Sequence, residues 1–124
     1  MTHKPIVNAT RPGEYLAMFI LRIPTMEGIG NAFVTCDAFS EYAIYTGVEK
    51  DQDTATVLRH IHLLTENEEF LKHRDKGFTL VLDEFEELSE KIKQIITPLR
   101  GKLLYDKVLH SRITRPVRES LSNL

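Results

Sequence analysis

The chain has 124 residues, 42% of them apolar and 27% charged, with a formal net charge of −2 and a pI near 6.2. That length lets one domain bury a core without disulfide or metal staples, and the near-neutral charge excludes a strongly basic module devoted to gripping nucleic acid. No stretch approaches the ~20 apolar residues of a membrane-spanning helix, and residues 1–11 lack the apolar run of a signal peptide. The single cysteine, Cys36, lies in an apolar run and reads as a buried thiol. A reducing, intracellular compartment, cytoplasmic or nuclear, is the matching expectation.

Residues 1–12, with Pro5, Asn8 and Pro12, read as an irregular arm ahead of one domain over 13–124. Residues 15–23 are apolar and rich in strand formers, and Pro24 is expected to end that strand. Residues 26–30 carry two glycines, which suits a hairpin turn. A second strand is expected over 32–36 and a third over 42–48, giving an antiparallel meander.

The hydrophobic period then changes. Val57, Leu58, Ile61, Leu64 and Leu71 fall at helical spacing, with Asp51, Asp53 and Thr54 at the start as cap and first-turn charge. That helix is expected to begin near Thr54 and end between Leu64 and His73, with 66–69 as a candidate loop. The continuous run 78–82 (FTLVL) predicts a strand buried on both faces. Phe85, Leu88, Ile92, Ile95 and Ile96 form a helical stripe stopped by Pro98, and 102–105 is a fifth strand. Residues 106–116 read as irregular and basic. Pro116 then suits the first turn of a last helix carrying Glu119, Leu121 and Leu124.

The resulting order, βββ-α-β-α-β-α, predicts an α/β domain with a mixed five-stranded sheet and helices on its faces. That is the order of the ribonuclease H-like fold. Two acids stand out within it: Asp83 directly after the fourth strand and Glu119 in the last helix, with 35 residues between them. Carboxylates from a strand end and a later helix can converge on a divalent metal, which takes hard oxygen ligands.

The segments Arg22-Ile-Pro24, Gly28, and Val34-Thr-Cys-Asp37-Ala-Phe39-Ser40-Glu-Tyr42-Ala43 resemble the second and third strands of a known family. Residues 50–58 resemble the start of its first helix, and His110 and Thr114 resemble residues preceding its catalytic glutamate. The family is the catalytic core of retroviral and LTR-retrotransposon integrases, related to DDE transposases, and the resemblance covers 12–124. It implies Asp83 as the second catalytic aspartate and Glu119 as the catalytic glutamate, both ligands of Mg²⁺ or Mn²⁺. It also implies DNA as a partner and a homodimer as the assembly, with no membrane association.

The sequence departs from the family in three places. The family's first catalytic aspartate lies in the first strand, yet no acid occurs between Glu14 and Glu27, and Met18 or Phe19 holds its place. Where the family has Asn-Gly after its second aspartate, this chain has Glu84-Phe85, which predicts an immediate helix with Asp83 as its N-cap. The sequence also ends soon after Glu119, short of the further helices that family cores carry. Losing one acid of a two-metal clamp removes several kcal/mol of transition-state stabilisation, so strand transfer is expected to be impaired or lost. Weak nucleic-acid binding or self-association through helix surfaces would remain.

Each candidate also has a plainer reading. Asp83 is a helix cap or a metal ligand; Glu119 is a solvated helix position or a ligand. Asp37 substitutes for the missing acid only if its side chain turns toward the sheet centre. His60 and His62, at i and i+2, point apart on a helix and so form no metal pair; both read as surface or boundary residues. His110 beside Ser111 lacks the orientation of a nucleophile and base. Glu84, Glu86, Glu87 and Glu90, with Lys91 and Lys93, read as a solvated helix face.

Arg100, Lys102, Lys107, Arg112, Arg115 and Arg118 put six cations in 19 positions. They either track a phosphate backbone or offset the acidic helix. There is no glycine-rich phosphate loop and no zinc-ligand spacing. Two other functions remain open: an active metal-dependent nuclease or strand transferase using Asp37 or Glu84 as third acid, and a non-catalytic α/β protein-interaction module.

Overall fold

A computed structural model describes residues 8–122. Strands β1 (Tyr15–Thr25) and β2 (Gly28–Asp37) form a long antiparallel hairpin, from Leu16↔Asp37 to Thr25↔Gly28. The turn is only Met26 and Glu27, and Gly28 leaves it at φ +116, a conformation open to glycine. β1 does not stop at Pro24. Its pairing with β4 (Phe78–Leu82) ends at Ala17↔Val81, so Pro24 lies where β1 has one unpaired side and no ladder bond is lost.

β3 (Ala43–Glu49) adds antiparallel to β2, and β5 (Gly101–Tyr105) adds parallel to β4. The sheet order is β3-β2-β1-β4-β5, the mixed five-stranded sheet expected from the element order.

The first helical stretch is two helices. α1 (Thr54–Thr65) is capped by Asp53, whose carboxylate accepts from the Thr56 amide. Asn67 then interrupts it by capping α2 (Glu68–His73). After β4 the expected helix does not start at once, and Asp83 is not its cap. Phe85 takes a left-handed conformation (φ +66), a 3₁₀ turn covers Glu86–Leu88, and α3 (Ser89–Ile96) follows with Leu88 before it.

The largest correction is at the end. Residues 106–116 are not irregular: Asp106 caps α4 (Lys107–Ser122) one residue after β5, through its carboxylate to the Leu109 amide. Pro116 sits inside that helix rather than at its start. The predicted Leu124 lies outside the described residues, as do 1–7 of the irregular arm; residues 8–12 carry no helix or strand.

Strand alternation divides the core. Leu16, Met18, Leu80 and Leu82 face α1 and α3, meeting Val57, Ile61, Ile92 and Ile96. Ala17, Phe19, Val34, Cys36 and Val81 face α4, meeting Ile113 and Val117. Burial on both faces explains the unbroken apolar run of β4. No helix among the described residues is long and apolar enough to cross a membrane.

Candidate functional site

The chain leaves β1 toward β2 on one side and β4 toward β5 on the other. The crevice beyond the carboxyl ends of β1 and β4 is therefore the topological switch point, where open α/β sheets bind ligands. Continuing the register Ala17↔Val81 sets Phe19 level with Asp83, and both share the face of their neighbours Ala17 and Val81, toward α4. Phe19, rather than Met18, thus stands where a carboxylate would face Asp83.

Asp83 is partly exposed, and its Oδ2 lies 3.5 Å from Nδ1 of His110. His110 is buried at 1% exposure in the first turn of α4, and its Nε2 is 2.7 Å from the Met18 carbonyl. The buried ring thus lies between a carboxylate oxygen on one side and a backbone carbonyl on the other. Because Asp106 starts the helix directly after β5, a first-turn residue meets Asp83. Sequence reasoning missed this role for His110; the signal was Asp106, a capping residue four positions earlier.

Two turns further along the same face, the Arg118 guanidinium lies 4.2 Å over the Phe19 ring, and its Nε donates to Thr114 Oγ1 at 3.1 Å. Arg118, Asp83 and Glu84 edge a cavity of about 70 Å³ floored by Val57, Ile61 and Leu82. Arg118 also acts on Cys36: burial pushes that thiol up to about 12, Arg118 pulls it down and Asp37 pushes it up.

The remaining candidates are placed as follows. Glu119 is exposed and pairs with Arg115 at 3.5 Å, one turn back. Asp37 is buried at the far end of the β1–β2 ladder, where it accepts from the amides of Gly13, Phe39 and Ser40. Its side chain lines a different cavity, with Gly13, Ser40 and Phe70, and is not turned toward the crevice.

Of the six cations, Lys107, Arg112 and Arg115 share an exposed face of α4 with Val108 and Ser111. Arg100 instead donates to the Asp75 carbonyl at 2.7 Å, Lys102 is on β5, and Arg118 is turned to Phe19. His60 is a correction, being buried rather than at the surface. It stacks on Phe33 at 4.4 Å, sits against the Tyr45 hydroxyl, and pairs with Glu49 at 3.0 Å.

A divalent ion such as Mg²⁺ or Mn²⁺ takes several oxygen ligands, usually carboxylates. The crevice offers Asp83, already against His110, and Glu84, with a guanidinium and an aromatic ring where another acid would be needed. Among the described residues no three His, Cys, Asp or Glu side chains form a metal-holding group. The donor set does not fit the ion.

No protein-family model matches the chain, and no curated protein matches it by sequence. Solved structures do. One is a chain of the simian T-cell lymphotropic virus intasome in complex with PP2A regulatory subunit B56 gamma, at TM-score 0.62 and 11% identity, covering 90% of this chain. Another is the HTLV-2 integrase catalytic core domain in complex with magnesium, in its dimeric form, at TM-score 0.60 and 14% identity, covering 91% of this chain and 70% of that one.

The fold is that of a retroviral integrase catalytic core. This chain spans 38% of the intasome chain it matches. Phe85 holds a positive φ that glycine would adopt freely.

Proposed function

We propose that this is an integrase-core-like domain that does not carry out strand transfer, and that it contacts nucleic acid through the basic face of α4 and forms a homodimer. The observation carrying the loss of chemistry is Arg118 stacked on Phe19 beside Asp83, a cation and a ring in place of a carboxylate. Two-metal phosphoryl transfer needs carboxylates that hold the metal ions around the reacting phosphate. Here the group beside Asp83 is a protein cation, and the Asp83 carboxylate itself lies against His110.

Support for nucleic-acid contact is the exposed cluster Lys107, Arg112 and Arg115 on one helix face. Each phosphate neutralised contributes about 0.9 to the salt slope of duplex binding. Fluorescence anisotropy on labelled duplex DNA, run across a salt series, tests this. Replacing all three cations by Gln should lower the slope by about 2 to 3. An unchanged slope would refute the assignment of this face. Glu84 at the crevice supports a second reading, a metal-dependent nuclease or strand transferase. That reading requires DNA cleavage in Mn²⁺ that Asp83→Asn abolishes.

A further inference from the structure

The cavity that Asp37 lines lies at the pole of the sheet opposite the crevice, where β1 and β4 begin and β2 ends. Its volume is about 180 Å³. Leu16, Ile44, Phe70 and Phe78 give it an apolar lining, in which the two phenylalanine rings meet edge to face at 4.8 Å. An apolar cavity of roughly 150 Å³ already admits a molecule the size of benzene.

One wall is the segment Pro12–Gly13, and it is tied down. Gly13 has φ +77, and a Cβ there would stand 3.0 Å from the Cβ of His73, so glycine lets the chain approach α2 this closely. The neighbouring Arg11 donates from Nη2 to the carbonyls of Lys76 at 3.0 Å and Gly77 at 2.7 Å. The Gly13 amide donates to Asp37 at 3.0 Å. The cavity is therefore preformed, as small-molecule sites usually are.

Asp37 supplies its polar end. The residue is 3% exposed, and its carboxylate is held by amides alone: Oδ1 accepts from Gly13 and Phe39, and Oδ2 from Ser40. A carboxylate has about four acceptor sites, so one on Oδ2 stays open. Buried charges are normally paired. Among the described residues no cation pairs with Asp37: Arg74 and His73 also line the cavity, Arg74 is exposed, and neither forms an ion pair with it. The combination is a buried anion beside an apolar hollow.

We propose that this cavity binds a small primary amine with an apolar body. The ammonium donates to Asp37, and the hydrocarbon lies against Leu16, Phe70 and Phe78. The site is remote from the crevice and from the basic face of α4, and depends on neither.

Titration of the full chain with phenethylamine, followed through amide shifts in nitrogen–proton NMR spectra, tests it. Ethylbenzene presents a similar body without the charge, and phenylacetate presents the opposite charge. The expected result is saturable shifts at Gly13, Ser40 and Phe70 with about millimolar amine. Ethylbenzene should bind about tenfold more weakly, because it lacks the charge-assisted hydrogen bond, and phenylacetate should not bind. Asp37→Asn should remove the preference for the amine. Because Asp37 also anchors three amides, a second variant leaves it in place: Ile44→Phe fills the cavity and should abolish the shifts with both amine and ethylbenzene. Ethylbenzene or phenylacetate binding as tightly as the amine overturns the ligand class. Absence of saturable shifts in the parent, or shifts that persist in Ile44→Phe, overturns the cavity as the site.

Discussion

The Asp83 carboxylate and the His110 ring lie 3.5 Å apart across the carboxyl end of β4 and the first turn of α4. His110 in turn reaches the Met18 carbonyl at 2.7 Å, so one buried ring ties β1, β4 and α4 together. The contact at the end of β4 is a structural clasp. His110→Ala removes the hydrogen bond to the Met18 carbonyl and the contact with Asp83, leaves a cavity, and should destabilise the domain by about 2–4 kcal/mol. Asp83→Asn, at a side chain 37% exposed, should cost under about 1 kcal/mol. Urea unfolding of the two variants measures both. Equal losses would mean that the ring's burial is not what matters.

Arg118 and Phe19 form the other half of the blocked crevice. Phe19→Asp alone should give a carboxylate that pairs with Arg118 and still no Mn²⁺ binding. Phe19→Asp with Arg118→Ala removes the competing cation, and Mn²⁺ binding should then be detectable by calorimetry. Binding by the single variant would show that Arg118 does not guard the site.

Pro116 lies within α4, where it cannot donate to the Arg112 carbonyl. An interior proline costs about 3 kcal/mol relative to alanine in an exposed helix. Pro116→Ala should therefore stabilise the domain by about 1–3 kcal/mol in chemical denaturation. A loss of stability would mean that the helix requires a bend there.

Cys36 gives a pH signature. Burial raises its thiol from the usual 9.0 to about 12. Below pH 9 the thiol is protonated in both folded and unfolded chains, so its contribution to stability is fully present. Between pH 9 and 12 the unfolded chain ionises first, and stability should fall by about 1.4 kcal/mol per pH unit. Cys36→Ala should lack this part of the slope. An identical slope in the variant would contradict the burial argument, as would rapid alkylation of the native thiol.

Much of the sheet was legible in the sequence because its signals are local. β4 is an unbroken apolar run between Gly77 and Asp83, and the glycines around residue 28 mark the hairpin. α4 was not legible, for a physical reason. Its buried face is His110, Ile113, Thr114 and Val117, so half of the stripe is polar and satisfied by hydrogen bonds or packing within the fold. Pro116 then suggested a start where there is an interior. The candidate site suffered in the same way. Spacing along the chain brought Glu119 into view as the partner of Asp83, but Asp106 starts the helix so early that His110 reaches it. His60 looked like a surface residue because its partners, Tyr45 and Glu49, lie on a different element.

The central claim is that the crevice at β1 and β4 holds no catalytic metal. Titration of Mn²⁺ into the parent chain by calorimetry, with cleavage of labelled duplex DNA followed in the same buffer, tests it most directly. The account predicts no saturable heat and no cleavage. Saturable binding and cleavage that both vanish in Asp83→Asn would contradict it and restore the domain to the metal-dependent enzymes.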